Sequence, residues 1–203
     1  MELGWQLEAD EVYDGDLILW DDTLDLNGHT LTVNGDVVVM GGELFVNGGK
    51  LVANKDLRIQ TRDTDASGTS TYSVSSGSLV MTNESDEVIV AGDFYINTKT
   101  ANTGKLTEGT LTVGGNFTQI GSNAYLGSGN NKIVFNGNEK QIYSTATNSS
   151  FGQFVNENGV ELCLNSSFVV SGLIKDSTNK ITGAGQAIVT NLNNIENGVF
   201  GGT

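Results

Sequence analysis

Between residues 12 and 60 the apolar positions come in pairs, with one residue between the two members. The first pairs are Leu17/Leu19, Leu24/Leu26 and Leu31/Val33, and the next are Val37/Val39, Leu44/Val46 and Leu51/Ala53. Inside a pair the period is two, the period of a strand whose alternate side chains share a face. From pair to pair the steps are seven, seven and six residues, so three pairs fill a unit of twenty. Laid over one another, residues 14–33 and 34–53 agree at six positions: Gly15 meets Gly35, Asp16 Asp36, Leu24 Leu44, Asn27 Asn47, Gly28 Gly48 and Leu31 Leu51. A third unit begins at 54, where Asp56 follows Asp36 and Leu57-Arg58-Ile59 follows Val37-Val38-Val39.

A fixed period of this length means stacked coils, because one unit cannot bury its apolar face alone and a stack can. Three short strands per unit, each turning two side chains inward, predict an all-β, single-stranded parallel β-solenoid of triangular cross-section. The handedness of parallel crossovers predicts a right-handed β-helix. Asn27-Gly28, Asn34-Gly35, Gly41-Gly42 and Asn47-Gly48 mark the corners, and Gly and Asn tolerate the positive φ that tight corners need. No apolar stripe at helical spacing occurs, so no helix is expected.

Residues 61–78, TRDTDASGTSTYSVSSGS, have almost no apolar content and read as a loop leaving the stack. TKTANTGKLTE (98–108) reads as a second polar excursion. Strand-like pieces return at 79–81, 87–96, 109–120, 124–126, 131–135 and 140–143, and VIVAGDF recurs as LTVGGNF at a spacing of 23. VELCL, SFVVSGLI, NKITG, QAIV and IENGVF complete looser coils over 79–203. One domain of about eight or nine coils follows, a rod of roughly 40 Å at about 4.8 Å per coil. Its uncapped end suggests a piece of a longer protein.

Composition sharpens this. Proline is absent from all 203 residues, as suits a chain whose N–H groups are used along its length. The net charge of −14, with ten scattered Lys and Arg, disfavours nucleic acid and anionic membranes as partners. No window holds the 18 or so apolar residues of a membrane helix, so no membrane insertion is expected. Cys163, the single cysteine, forms no internal disulfide. Alternation in VELCL turns Val160, Leu162 and Leu164 one way and Cys163 the other.

Chemistry is sparse. Asp16, Asp36 and Asp56 should stack in one column, with Asp93 and Asn116 at comparable corners. Such carboxylates accept backbone N–H groups, as Asp does in turns, bridge Ca²⁺ between coils, or stay solvated under mild mutual repulsion. NESDE (83–87) and DTD (63–65) are acidic loop clusters without a calcium-loop pattern. His29 reads as a solvent-facing corner residue. Arg58 and Arg62 are not placed by the repeat beside a carboxylate pair. Asn116, Asn148 and Asn165 sit in glycosylation-type triplets, and GSGNNK (127–132) lacks the rest of a phosphate-binding loop. No catalytic, cofactor-binding or metal residue is therefore assigned, and no enzyme is expected.

The succession LDLNGHTLTVNGD, GGELFVNGGKL, DLRIQ, SLVMTNESDEVIVAGDF, LTEGTLTVGGNFTQ and KIVFNGNEKQ resembles a repeated module of large secreted or cell-surface, adhesin-like proteins of Gram-positive bacteria. The resemblance spans roughly residues 5–160. It implies an extracellular, non-catalytic shaft and interaction surface, flanked by neighbouring domains and facing a protein or glycan ligand. Trp20, Asp22, Thr30, Thr32 and the two polar loops are the exposed candidates for contact. The alternative is a carbohydrate-binding or polysaccharide-degrading β-helix. It requires aromatics and carboxylates lined along one face, and the repeat does not line up Trp5, Trp20 and the tyrosines.

Overall fold

The computed structural model describes residues 4–120, 125–145, 149–178, 180–190 and 195–196, and these contain no helix. They form a parallel β-solenoid of about eight turns. One face is a nine-stranded sheet that begins with Glu11–Tyr13, Thr30–Val33, Lys50–Ala53, Glu87–Val90 and Thr110–Val113. The second is an eight-stranded sheet that begins with Leu17–Leu19, Val37–Val39, Leu57–Ile59, Phe94–Ile96 and Phe117–Gln119. The third face is shorter and interrupted. Trp5–Gln6, Leu24–Asp25, Glu43–Phe45 and Ser78–Val80 stack first, and Ser149–Phe151, Phe168–Val170 and Ala187–Val189 stack further on.

Register follows the sequence repeat. Leu31 pairs with Leu51, Val88 with Leu111, Leu111 with Ile133 and Ile133 with Phe154, all parallel. Like residues therefore lie over like residues, and the inward columns are buried: Leu31, Leu51, Val88, Leu111, Ile133, Phe154 and Ile174 form one of them. Fully burying each such side chain contributes about 1.5–3 kcal/mol. From Phe94 onward aromatic rings join the aliphatic side chains in the core. Phe94 stacks on Phe117 at 5.1 Å and Phe117 on Tyr143 at 5.4 Å, with Phe135, Phe151, Phe154 and Phe168 packed around them. Burial pushes the Tyr143 phenol up to about 12.

Two kinds of corner appear. Asn27 and Asn47 have φ of 48° and 47°, and Gly28 and Gly48 of 80° and 79°, as expected for Asn-Gly corners. At Asn34-Gly35 the backbone is not left-handed, and the need for glycine is clearance. A Cβ on Gly35 would lie 2.4 Å from the Gly15 carbonyl and from the Asp16 carboxylate of the coil beneath.

The polar segments differ from expectation. Residues 61–78 are not an irregular loop, because Thr61–Thr64 and Ser70–Ser73 form an antiparallel hairpin. The segment 98–108 packs onto the stack with Thr98, Asn102 and Leu106 buried, and Lys105 Nζ reaches Glu43 Oε1 at 2.6 Å. Val160 does not turn inward with Leu162 and Leu164; it is 48% exposed. The Asn158 side chain accepts the N–H groups of Val160 and Glu161, which makes a turn there, and alternation begins only at Leu162. Asn148 and the IENGVF segment beyond Glu196 lie outside the described residues.

Candidate functional site

A cluster of charged and aromatic groups lies on the outer side of the eight-stranded sheet. There Ile18, Val38, Arg58 and Tyr95 follow one another in register, each facing outward by strand alternation. After Gln60 the chain turns back over this row as the hairpin. Arg62 and Tyr72 are paired across its two strands. The hairpin lies as a strap against Val37–Val39, and Val38, although outward, is 0% exposed.

Arg58 is the centre of the strap's attachment. Its guanidinium carbon is 3.8 Å from the Tyr95 ring centre and 4.2 Å from that of Tyr72, so the cation lies between a ring of the coil and a ring of the strap. Its Nη2 donates to Asp56 Oδ2 at 2.7 Å, and its Nη1 to Gln60 Oε1 at 3.2 Å. Burial disfavours this cation, but the Asp56 hydrogen bond and charge outweigh it and leave the Arg58 pKa above its ordinary value. Arg62 Nη1 donates to Asp16 Oδ2 at 2.6 Å, two coils back. That bond, joined by the Asp36 N–H, holds the Asp16 carboxyl below its ordinary 3.8. Burial, then hydrogen bonding to Asp93 Oδ2, pushes the Tyr95 phenol up to about 12.

Beside the strap runs the aspartate column, and it stacks as the sequence predicts. Asp16 Oδ1 accepts the N–H of Asp36, Asp36 Oδ1 that of Asp56, and Asp56 Oδ1 that of Asp93. The series continues from Asp93 to the N–H of Asn116, and from Asn116 to that of Ile142. Each acceptor belongs to one coil and its donor to the next. One oxygen of each aspartate is thus engaged with backbone, and the second oxygens of Asp16, Asp56 and Asp93 accept from Arg62, Arg58 and Tyr95. Among the described residues no three His, Cys, Asp or Glu side chains gather as a metal site.

The remaining sequence candidates fall elsewhere. Within NESDE, Asp86 is buried and accepts the N–H groups of Gly48, Thr82 and Asn83 at 2.5, 2.7 and 3.0 Å, which locks a turn. In DTD, Asp65 closes the strap's tip through Ser67 and Thr69, and the Ser67 hydroxyl first among them holds its carboxyl below the ordinary value. His29 Nδ1 lies 3.6 Å from Asp10, half-buried at its corner. Cys163 faces outward and meets Asn165 Oδ1 at 3.5 Å. Trp20 and Asp22 are exposed, but Thr30 and Thr32 lie half-buried on another sheet, so these four do not share a face.

Sequence reasoning missed the arginines. The repeat alone does not give them carboxylates, yet Arg58 meets Asp56 and Arg62 meets Asp16. The first pair was readable from strand alternation over two positions; the second needed the hairpin. Chemically the cluster is a clamp: its carboxylates and guanidinium groups are neutralised by one another. No known protein family, curated protein or solved structure matches the chain. Among the described residues no helix is long and apolar enough to cross a membrane.

Proposed function

We propose that the chain is a non-catalytic structural and adhesive module of an extracellular or bacterial cell-surface protein. It acts as a rigid shaft that spaces neighbouring domains and offers its sides to a protein or glycan ligand. The aspartate column supports this reading best. Its carboxylates, the groups best suited to acid–base work, are committed to coil-to-coil hydrogen bonds that make the rod cohere. The order of motifs, which resembles Gram-positive surface repeats, supports the location.

Two measurements test it. Incubation with a panel of plant and bacterial polysaccharides should release no new reducing ends, and measurable turnover overturns the non-catalytic reading. Protease shaving of intact cells making the full gene product should release peptides of this chain; their absence overturns the surface assignment.

A further inference from the structure

Where the nine-stranded sheet turns into the eight-stranded one, a ladder of corner side chains breaks off partway along the rod. Asp14, Asn34, Asn54, Ala91, Gly114 and Asn136 hold equivalent positions in successive coils, each directly after a residue paired across the sheet. Asn34 Nδ2 donates to Asp14 Oδ1 at 2.6 Å, and Asn54 Nδ2 to Asn34 Oδ1 at 2.7 Å. At Ala91 and Gly114 the side chain shrinks to a methyl and then a hydrogen. A notch opens there, two coils or about 10 Å high.

An insertion walls the notch. Val113 pairs with Phe135 and Phe117 with Tyr143, so residues 114–116 turn the corner in one coil and residues 136–142 in the next. Ala91, Gly114 and Gly115 and the longer segment from Asn136 to Lys140 line a groove of about 470 Å³. Two buried amides fix that segment. Gln141 Oε1 accepts the Gly137 N–H at 2.9 Å, and Gln141 Nε2 donates to the Val113 and Gly115 carbonyls. Asn158 Nδ2 donates to Gln141 Oε1 and to the Glu139 carbonyl, both at 2.8 Å. Gln141 is 1% and Asn158 0% exposed, so the groove is preformed.

Its lining groups are unengaged. The side chains of Asn136, Asn138 and Glu139 are exposed and make no hydrogen bond among the described residues. Asn116 Oδ1 accepts the Ile142 N–H, which leaves its amide donors. Donors and acceptors side by side match hydroxyl groups, which both donate and accept. An anion is repelled, because Asp93 and Glu139 line the groove and Lys140 is paired with Glu161 at 2.8 Å. A metal ion finds both Asp93 oxygens already accepting, from the Asn116 N–H and the Tyr95 hydroxyl. An apolar ligand finds only Ala91.

We propose that this groove binds a neutral saccharide, one or two pyranose rings of a glycan, through hydroxyl contacts to Asn116, Asn136, Asn138 and Glu139. No aromatic ring lines it, so affinity is modest, with a Kd of about 1 mM. The inference rests on reading the rod as a module with a protein or glycan ligand, and it selects the glycan.

The probes are cellotetraose, mannotetraose, galactotetraose and chitotetraose, with tetragalacturonate as the anionic control and the chitosan tetramer as the cationic one. NMR of the isotope-labelled protein follows backbone amides at about 1–10 mM sugar. At least one neutral tetramer should shift the amides of Gly115, Gly137 and Asn138 saturably, and equally in about 50 and 300 mM salt. Tetragalacturonate should not. Glu139→Ala should weaken binding about tenfold and Asn138→Ala about threefold. Ala91→Asn, which continues the ladder into the notch, should abolish it. These three positions are exposed, so melting temperatures should not move. Silence of every neutral tetramer overturns the proposal, as do shifts that map elsewhere or that survive Ala91→Asn. Binding of the chitosan tetramer alone, lost at the higher salt, overturns it too and marks a merely acidic surface. Failure here leaves the shaft reading to the reducing-end and shaving assays, which read turnover and location rather than binding in this groove.

Discussion

Replacing Tyr72 with alanine tests how the strap is held. Three attachments can be given magnitudes. The Arg58 cation between two rings is 14% exposed at its side chain, and a partly desolvated cation–π contact contributes about 1 kcal/mol. The Arg62–Asp16 pair has Asp16 37% exposed, so solvent screening reduces it to about 0.5 kcal/mol. Covering Val38 adds about 1 kcal/mol, below the full value for a valine because neighbouring rows shield it without the strap. The strap is thus attached by about 2–3 kcal/mol, well under the several kcal/mol expected for the whole stack. It should open without unfolding the coils. Hydrogen exchange resolved by mass spectrometry should show amides of 61–73 protected about 30- to 150-fold, far less than those of 88–90 or 111–113. Tyr72→Ala removes the ring contact, so strap protection should fall about fivefold while core protection stays put. If strap and core amides exchange together, or if the substitution lowers both equally, the strap is integral to the stack and the reasoning fails.

Other outcomes follow from the same contacts. Acidification should loosen the strap. Asp16 has a depressed folded pKa, so its contribution is complete above about pH 5 and is lost as pH falls through the folded value below 3.8. Exchange at pH 3 and 6, corrected for intrinsic rates, checks this, and protection that rises on acidification contradicts it. Asp36→Ala deprives the Asp56 N–H of its acceptor and should cost about 1–2 kcal/mol, lowering the melting temperature by about 2–8 °C; calorimetry reads this. Gly35→Ala drives a methyl into the Gly15 backbone and should cost at least about 2 kcal/mol, against no more than about 0.5 kcal/mol for Ala66→Ser at the exposed strap tip. Phe117→Ala, at the centre of the ring cluster, should cost about 3–5 kcal/mol by denaturant titration.

Much of the stack was legible because the inward positions are chemically unambiguous. Leu17/Leu19, Leu24/Leu26 and Leu31/Val33 have no polar rival for the interior, and the twenty-residue spacing lays each pair over its successor. The aspartate column was legible for the same reason, although that each carboxylate serves the next coil is a matter of geometry. The strap was not legible. TRDT and STYS alternate, but between polar residues, so a signal weighted by hydrophobicity reads them as loop. Their threonines and tyrosine, flanking Asp-Ala-Ser-Gly, were the surviving clue to a hairpin. Arg62 and Asp16 lie 46 residues apart, and no local pattern joins positions so distant. Val160 was misread because a side-chain cap from Asn158 delays the strand.

Where the hairpin enters, the coil has absorbed extra chain without losing its place. Leu51 still pairs with Val88, 37 positions on, in the column where Leu31 pairs with Leu51, 20 positions on. The segment between Ile59 and Gly77 is therefore a place where the stack tolerates extra chain. A foreign segment whose two ends come together there, an epitope or a small binding loop, can be carried on the flank of the rod while the layers above and below continue uninterrupted.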